Sequence, residues 1–252
     1  QAGPGYYQTS PSDPRGILDG VCFTGGIAMR LSTLLACAAL SVAGSAQADI
    51  ITVDDDLADL PTADFTAIQD ALNAAVNGDE IIVYPGTYTG PYNMGDLRVT
   101  LRSSDPLDPS VVAATVLQPS SGGGVFTSNR STGEGPEIRG FTFDGGSFSF
   151  SAIFSTGESR LRIVDNVFTR FDTTSSLIAN PFGFGDGVFI IERCVFRNNS
   201  AQRIIDFGAG TISRCRFESN TTKSVAVRAV ADSLVLDSLF LGIRTLDGST
   251  QA

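Results

Sequence analysis

Residues 191–199 read IERCVFRNN, and 21 positions later residues 212–220 read ISRCRFESN. Both share an aliphatic residue, then a phenylalanine five positions on, then an asparagine three beyond that. The first two features recur at Ile138 to Phe143, Ile163 to Phe168 and Val235 to Phe240, with phenylalanine spacings of 25, 28, 21 and 23 residues. A fixed motif with variable insertions predicts a solenoid, whose loops change length while its coils stay in register. Two residues after each aliphatic stand Gly140, Asp165, Arg193, Arg214 and Asp237. Glycine and aspartate suit a left-handed corner between short strands; arginine suits it less well.

Coils of a parallel solenoid stack about 4.8 Å apart, so the five phenylalanines are expected to form one internal ladder and the aliphatics another. Asn199 and Asn220 should stack in the next turn and bond coil to coil, satisfying backbone groups that water cannot reach. Cys194 and Cys215 hold the same place in adjacent coils. Their separation suits a disulfide, but parallel Cβ vectors suit a ladder of two thiols, and both readings stay open.

Upstream, residues 62–78 place Phe65, Ile68, Leu72, Ala75 and Val76 at helical spacing, with Asp64 as N-cap and Gly78 as the C-terminal stop. This helix would cover the open end of the solenoid, where strand edges and core would otherwise meet water. No second helix is expected after it. Gly122–Gly124 and the 183–187 segment read as loops, since no helix follows them to hold a phosphate.

The 252 residues carry 17 Lys+Arg against 27 Asp+Glu, a net charge of −10, with no His and no Trp. Histidine-dependent triads, zincins and zinc fingers are excluded, and the negative charge disfavours nucleic acid and anionic membranes. Residues 29–48 read MRLSTLLACAALSVAGSAQA: a positive start, an apolar run too short for a bilayer, and an A-x-A site that sets cleavage between Ala48 and Asp49. Residues 1–28 are then expected to be upstream read-through, 29–48 a signal peptide, and 49–252 a single domain. No cap follows Phe240, so the domain is expected to be truncated there. The product would be secreted, extracellular or periplasmic, with no membrane span in the mature chain.

The stretch DFTAIQDALNAAVNGDEIIVYPGTYTG at 64–90 resembles the N-terminal cap and first coil of the pectin-lyase-like superfamily. VTLRSSDP at 99–106 resembles the second coil, and the two Cys-x-Phe-x-x-Asn segments resemble its internal repeats. The resemblance spans about residues 62–240. It implies an all-β, right-handed parallel β-helix with one N-terminal capping helix, and an exported location.

Superfamily members include lyases, hydrolases and esterases of acidic polysaccharides. The hydrolases' Gly-His-Gly and the lyases' Arg-x-Pro have no counterpart in this sequence. Pectin methylesterases, whose start is nearest, pair two aspartates with an arginine, one acid protonating while the other attacks the ester. The resemblance points to Asp172, Asp206 and Arg244, although the spacing from each coil's anchor differs and the expected Trp and Gln are missing. The same residues also serve as turn caps and solvated surface. Asp54-Asp55-Asp56 offer the oxygens calcium takes, or form a solvated arm, so calcium has no specific motif and no other cofactor is implied. Asn129, Asn198 and Asn220 open glycosylation-like triplets that read as structural. The leading expectation is a non-catalytic exported solenoid that binds polysaccharide or cell-surface components. The alternative is a carbohydrate esterase or lyase.

Overall fold

Ile191 and Ile212 lie side by side on adjacent parallel strands, and so do Phe196 and Phe217. They belong to a computed structural model that describes residues 48–120, 124–129, 133–146, 150–156, 160–180, 188–229 and 232–246. The segment 29–47 and the glycine-rich stretches 121–123 and 183–187 lie outside the described residues.

Four parallel sheets build a β-solenoid. The first has eight strands, from Ile50–Val53 to Ser233–Leu236, and the second seven, from Gly86–Thr89 to Leu239–Leu241. The third has six, from Tyr92–Asn93 to Val227–Ala229, and the fourth has three two-residue strands. One coil runs through Val188–Glu192, Val195–Arg197, Ser200–Ala201 and Arg203–Phe207 before rejoining the first sheet at Ala209–Ser213. Among the described residues no helix is long and apolar enough to cross a membrane.

Repeated positions stack like on like. Ile81, Leu101, Ile138, Ile163, Ile191 and Ile212 form one buried ladder. Phe143, Phe168, Phe196 and Phe217 form another, which Phe240 extends at its exposed end, with ring centroids 4.4–4.8 Å apart and planes within 17°. Burying each ring is worth about 1.5–3 kcal/mol, and stacking adds about 0.5–1.5 kcal/mol. The last described coil differs: Val235 and Phe240 are 48 % and 42 % exposed.

All five predicted corner residues have positive φ, from 47° at Asp237 to 77° at Gly140. The arginines are accommodated because their side chains find partners. Arg193 bonds Asp165 and Glu192, and Arg214 pairs with Glu192. A second row of left-handed corners, Arg170, Asn198, Ser219 and Gly242, follows the phenylalanine ladder. Beside it, Asn199 Nδ2 donates to Phe168 O and to Asn220 Oδ1, and Asn220 Nδ2 donates to Phe196 O. Asn166 performs the same task at the first row: its Oδ1 accepts Phe141 N–H and its Nδ2 donates to Ile138 O.

The helices depart from expectation. Helix α1 spans only Ile68–Ala74, and its N-cap is Ala67, not Asp64. Asp64 Oδ2 instead accepts the Thr52 amide and hydroxyl, and Phe65 bridges to Val53, so the first strand holds 64–65 extended and delays the helix. At the other end Ala75 is the C-cap, while Gly78 lies beyond it at φ 108°. Ile68, Ala71 and Leu72 are buried, as a cap requires. A second helix, α2, spans Pro109–Ala114, against the expectation of none. Asp108 caps it by accepting Ser110 N–H at 2.8 Å, and proline at the first position costs no hydrogen bond.

Candidate functional site

Helix α2 interrupts a coil between its first- and second-sheet strands, and so stands proud of the solenoid wall. Thr142 Oγ1 donates to Val112 O at 2.8 Å and ties the helix to the second sheet. Gly140 lets the preceding loop close in, since a Cβ there would sit 2.3 Å from Pro106 Cβ. A groove of about 430 Å³ results, lined by Pro106, Leu107, Pro109 and Val112 together with Asp165, Arg193 and Arg197.

The charges beside the groove form a chain across coils. Arg139 and Arg193 both meet Asp165, at 3.0 and 2.6 Å, and Arg193 and Arg214 both meet Glu192, at 2.6 and 3.0 Å. Donating hydrogen bonds to Asp165 holds the Arg193 guanidinium above its ordinary pKa. Arg197 stands apart: it is exposed, and among the described residues it makes no ion pair. Its planar fork can take a carboxylate or paired hydroxyls, and the apolar side can take a sugar face.

A larger groove of about 530 Å³ flanks α1. Its amides already close the local loops. Gln69 bonds Asn73 and both backbone groups of Asn93, Asn77 Oδ1 accepts Arg98 N–H, and Asn93 Oδ1 accepts Gly95 N–H. The groove beside α2 is therefore the better candidate. Sequence reading missed it, although Asp108-Pro109-Ser110 carries a cap-and-proline helix signal.

The aspartate–aspartate–arginine trio is not brought together. Asp172, Ser200, Thr221 and Arg244 succeed one another along the fourth sheet's ladder. Asp172 and Arg244 thus stand three strand spacings apart, about 14 Å, and both are exposed. Asp206 lies on the third sheet, only 6 % exposed and already paired. Arg228 bonds both its oxygens at 2.6 and 3.0 Å, and Arg203 adds a contact at 3.2 Å. Asp206 thus serves as counter-ion to two arginines.

Cys194 and Cys215 are buried free thiols. Cys194 Sγ donates to Ile163 O at 3.4 Å, and burial pushes its pKa up. Ala48 and Asp49 are exposed, and Asp49 N–H donates to Asp79 Oδ1. Asn220, the acceptor position of one glycosylation-like triplet, is fully buried, whereas Asn129 and Asn198 are exposed.

The one place among the described residues that gathers three metal-ligating side chains is Asp54, Asp55 and Asp56. The reading of these acids as a solvated arm fails at Asp54, which is 0 % exposed. Strand pairing carries Val53 into the core, and Asp54 Oδ2 then folds the next loop by accepting the Asp59 and Leu60 amides. Asp55 and Asp56 remain exposed. Compared with family models, curated proteins and solved structures, the chain finds no match.

Proposed function

We propose that this is an exported, non-catalytic β-solenoid of the pectin-lyase-like superfamily that binds polysaccharide in the groove beside α2. The observation that carries the reading is Arg197, an exposed guanidinium without an ion-pair partner among the described residues, which lines the same groove as two prolines, Leu107 and Val112. An apolar side with a few convergent polar groups is the usual make-up of a ligand cleft. The wide separation of Asp172 from Arg244, and the pairing of Asp206 with two arginines, favour binding over ester cleavage. Export rests on the signal-peptide pattern at 29–48, and superfamily membership on the 64–90 resemblance. In that stretch Asp79 receives the Val76 and Asp49 amides, Gly86 makes room for Asp55, and Tyr88 is buried.

The test pairs affinity electrophoresis on uronate-rich and neutral polysaccharides with mass spectrometry of the same mixtures. Retention without new products is expected. Arg197→Ala should weaken retention about tenfold or more, the loss expected for a charged hydrogen bond of about 1.5–3 kcal/mol. Hydrolysed, eliminated or demethylated products would replace this reading with the enzymatic one. Unchanged retention by the Arg197 variant would remove the groove from it.

A further inference from the structure

Asp54 holds a buried carboxylate that is only half satisfied. Oδ2 accepts two amides, at 3.0 Å from Asp59 and 2.6 Å from Leu60, but Oδ1 is buried without any hydrogen-bond partner. Native proteins rarely leave a buried polar atom unpaired, least of all on an ionised group. The neighbours make it worse: one carboxylate oxygen from each of Asp54, Asp55 and Asp56 lies within 4.8 Å of the others. Among the described residues no Arg or Lys pairs with any of the three. Chain packing also keeps Asp55 in place. Its Oδ2 accepts Thr87 N–H at 3.0 Å, its own N–H donates to the buried Tyr88 hydroxyl, and Gly86 supplies the room, since a Cβ there would fall 2.2 Å from Asp55 Oδ1.

We propose that Asp54, Asp55 and Asp56 form a calcium site that pins the loop after the first strand to the capped end of the solenoid. The donor set is all oxygen, which suits hard cations and gives zinc or copper none of the nitrogen or sulfur they prefer. Geometry then selects between the two common hard cations: magnesium demands near-ideal octahedral coordination and sheds its waters reluctantly, whereas calcium tolerates the irregular geometry of three consecutive residues, with loop carbonyls and water completing its shell. The site is independent of the groove beside α2, so either can fail without the other.

The test is calorimetric titration of the full chain, stripped with EGTA, using CaCl2 and then MgCl2. One saturable calcium site is expected, with a dissociation constant on the order of 10⁻⁴ to 10⁻³ M, as in extracellular calcium modules, and magnesium at least about tenfold weaker. Asp55→Asn and Asp56→Asn alter exposed acids, so both variants should fold in EGTA like the parent. Each should weaken calcium about tenfold, while Asp172→Asn, far from the site, should not. No saturable heat up to about 10 mM CaCl2 from protein with a folded circular dichroism spectrum would overturn the site. Equal calcium affinity in the Asp55→Asn/Asp56→Asn double variant would overturn it as well.

Discussion

Removing the Asn199 amide should cost far more than its size suggests. The side chain is 2 % exposed, and its Oδ1 is the acceptor for Phe171 N–H at 3.1 Å. Its Nδ2 bridges Phe168 O and Asn220 Oδ1, both at 3.0 Å. Asn199→Ala leaves the Phe171 N–H unpaired and deletes two further hydrogen bonds, together about 2–6 kcal/mol. In a domain of this size each kcal/mol moves the melting midpoint by about 2–4 °C, so a fall of at least about 4 °C is expected. Asn199→Asp separates hydrogen bonding from packing, because it keeps the acceptor and loses the donor. At neutral pH its carboxylate faces two oxygens; once protonated as pH falls, the acid can donate again. The gap between this variant and the parent should therefore narrow as pH falls. Amide exchange gives a local readout: Phe171 should exchange faster in Asn199→Ala, whereas Phe141, held by Asn166, should not. A loss under about 1 kcal/mol by urea denaturation, the net value of one ordinary hydrogen bond, would refute the view that this ladder satisfies the corner.

Two further outcomes follow from buried and bonded groups. Cys194 and Cys215 are 0 % and 1 % exposed, so both should resist alkylation in the native protein and react in urea by peptide mapping; a disulfide-linked peptide would contradict the thiol assignment. Asp64 accepts the Thr52 hydroxyl and amide, which holds its pKa below the ordinary 3.8. Because the folded value is the lower one, the stability this carboxylate contributes is complete above the unfolded pKa and is lost as pH falls through the folded pKa. Thr52→Val should move the Asp64 carbon-13 titration upward, and an unchanged midpoint would refute the assigned cause.

The core was legible because stacking writes each structural role several times. Five phenylalanines and a longer row of aliphatics repeat one spacing, so the pattern survives insertions that differ by several residues. Helix α1 was legible in kind but not in extent. Its periodicity marks a buried face, yet the first turn is lost to a strand contact between Phe65 and Val53 that no local pattern records. Helix α2 is shorter than two turns, so hydrophobic periodicity has almost nothing to act on, and only its cap and proline announce it.

Functional chemistry is harder to read for the same reason the core is easy. In a solenoid the residues that matter for stability are copied from coil to coil, while a site uses what is not copied. Arg197 shows this. Its register partners are Thr169 and Glu218, so the coils on either side place a hydroxyl and an acid where this one places a cation. A repeat-based reading averages such a residue away, and a family-based reading of Asp172, Asp206 and Arg244 seeks a constellation that the coils hold on two different sheets. Asp54 follows the same logic. It adjoins the first strand's buried Val53, and its charge looks like surface until strand pairing draws it inside. A single buried acid with an idle oxygen, beside two exposed acids, is visible only after the coil is closed. The residues most informative about function in this solenoid are thus those that break its ladders.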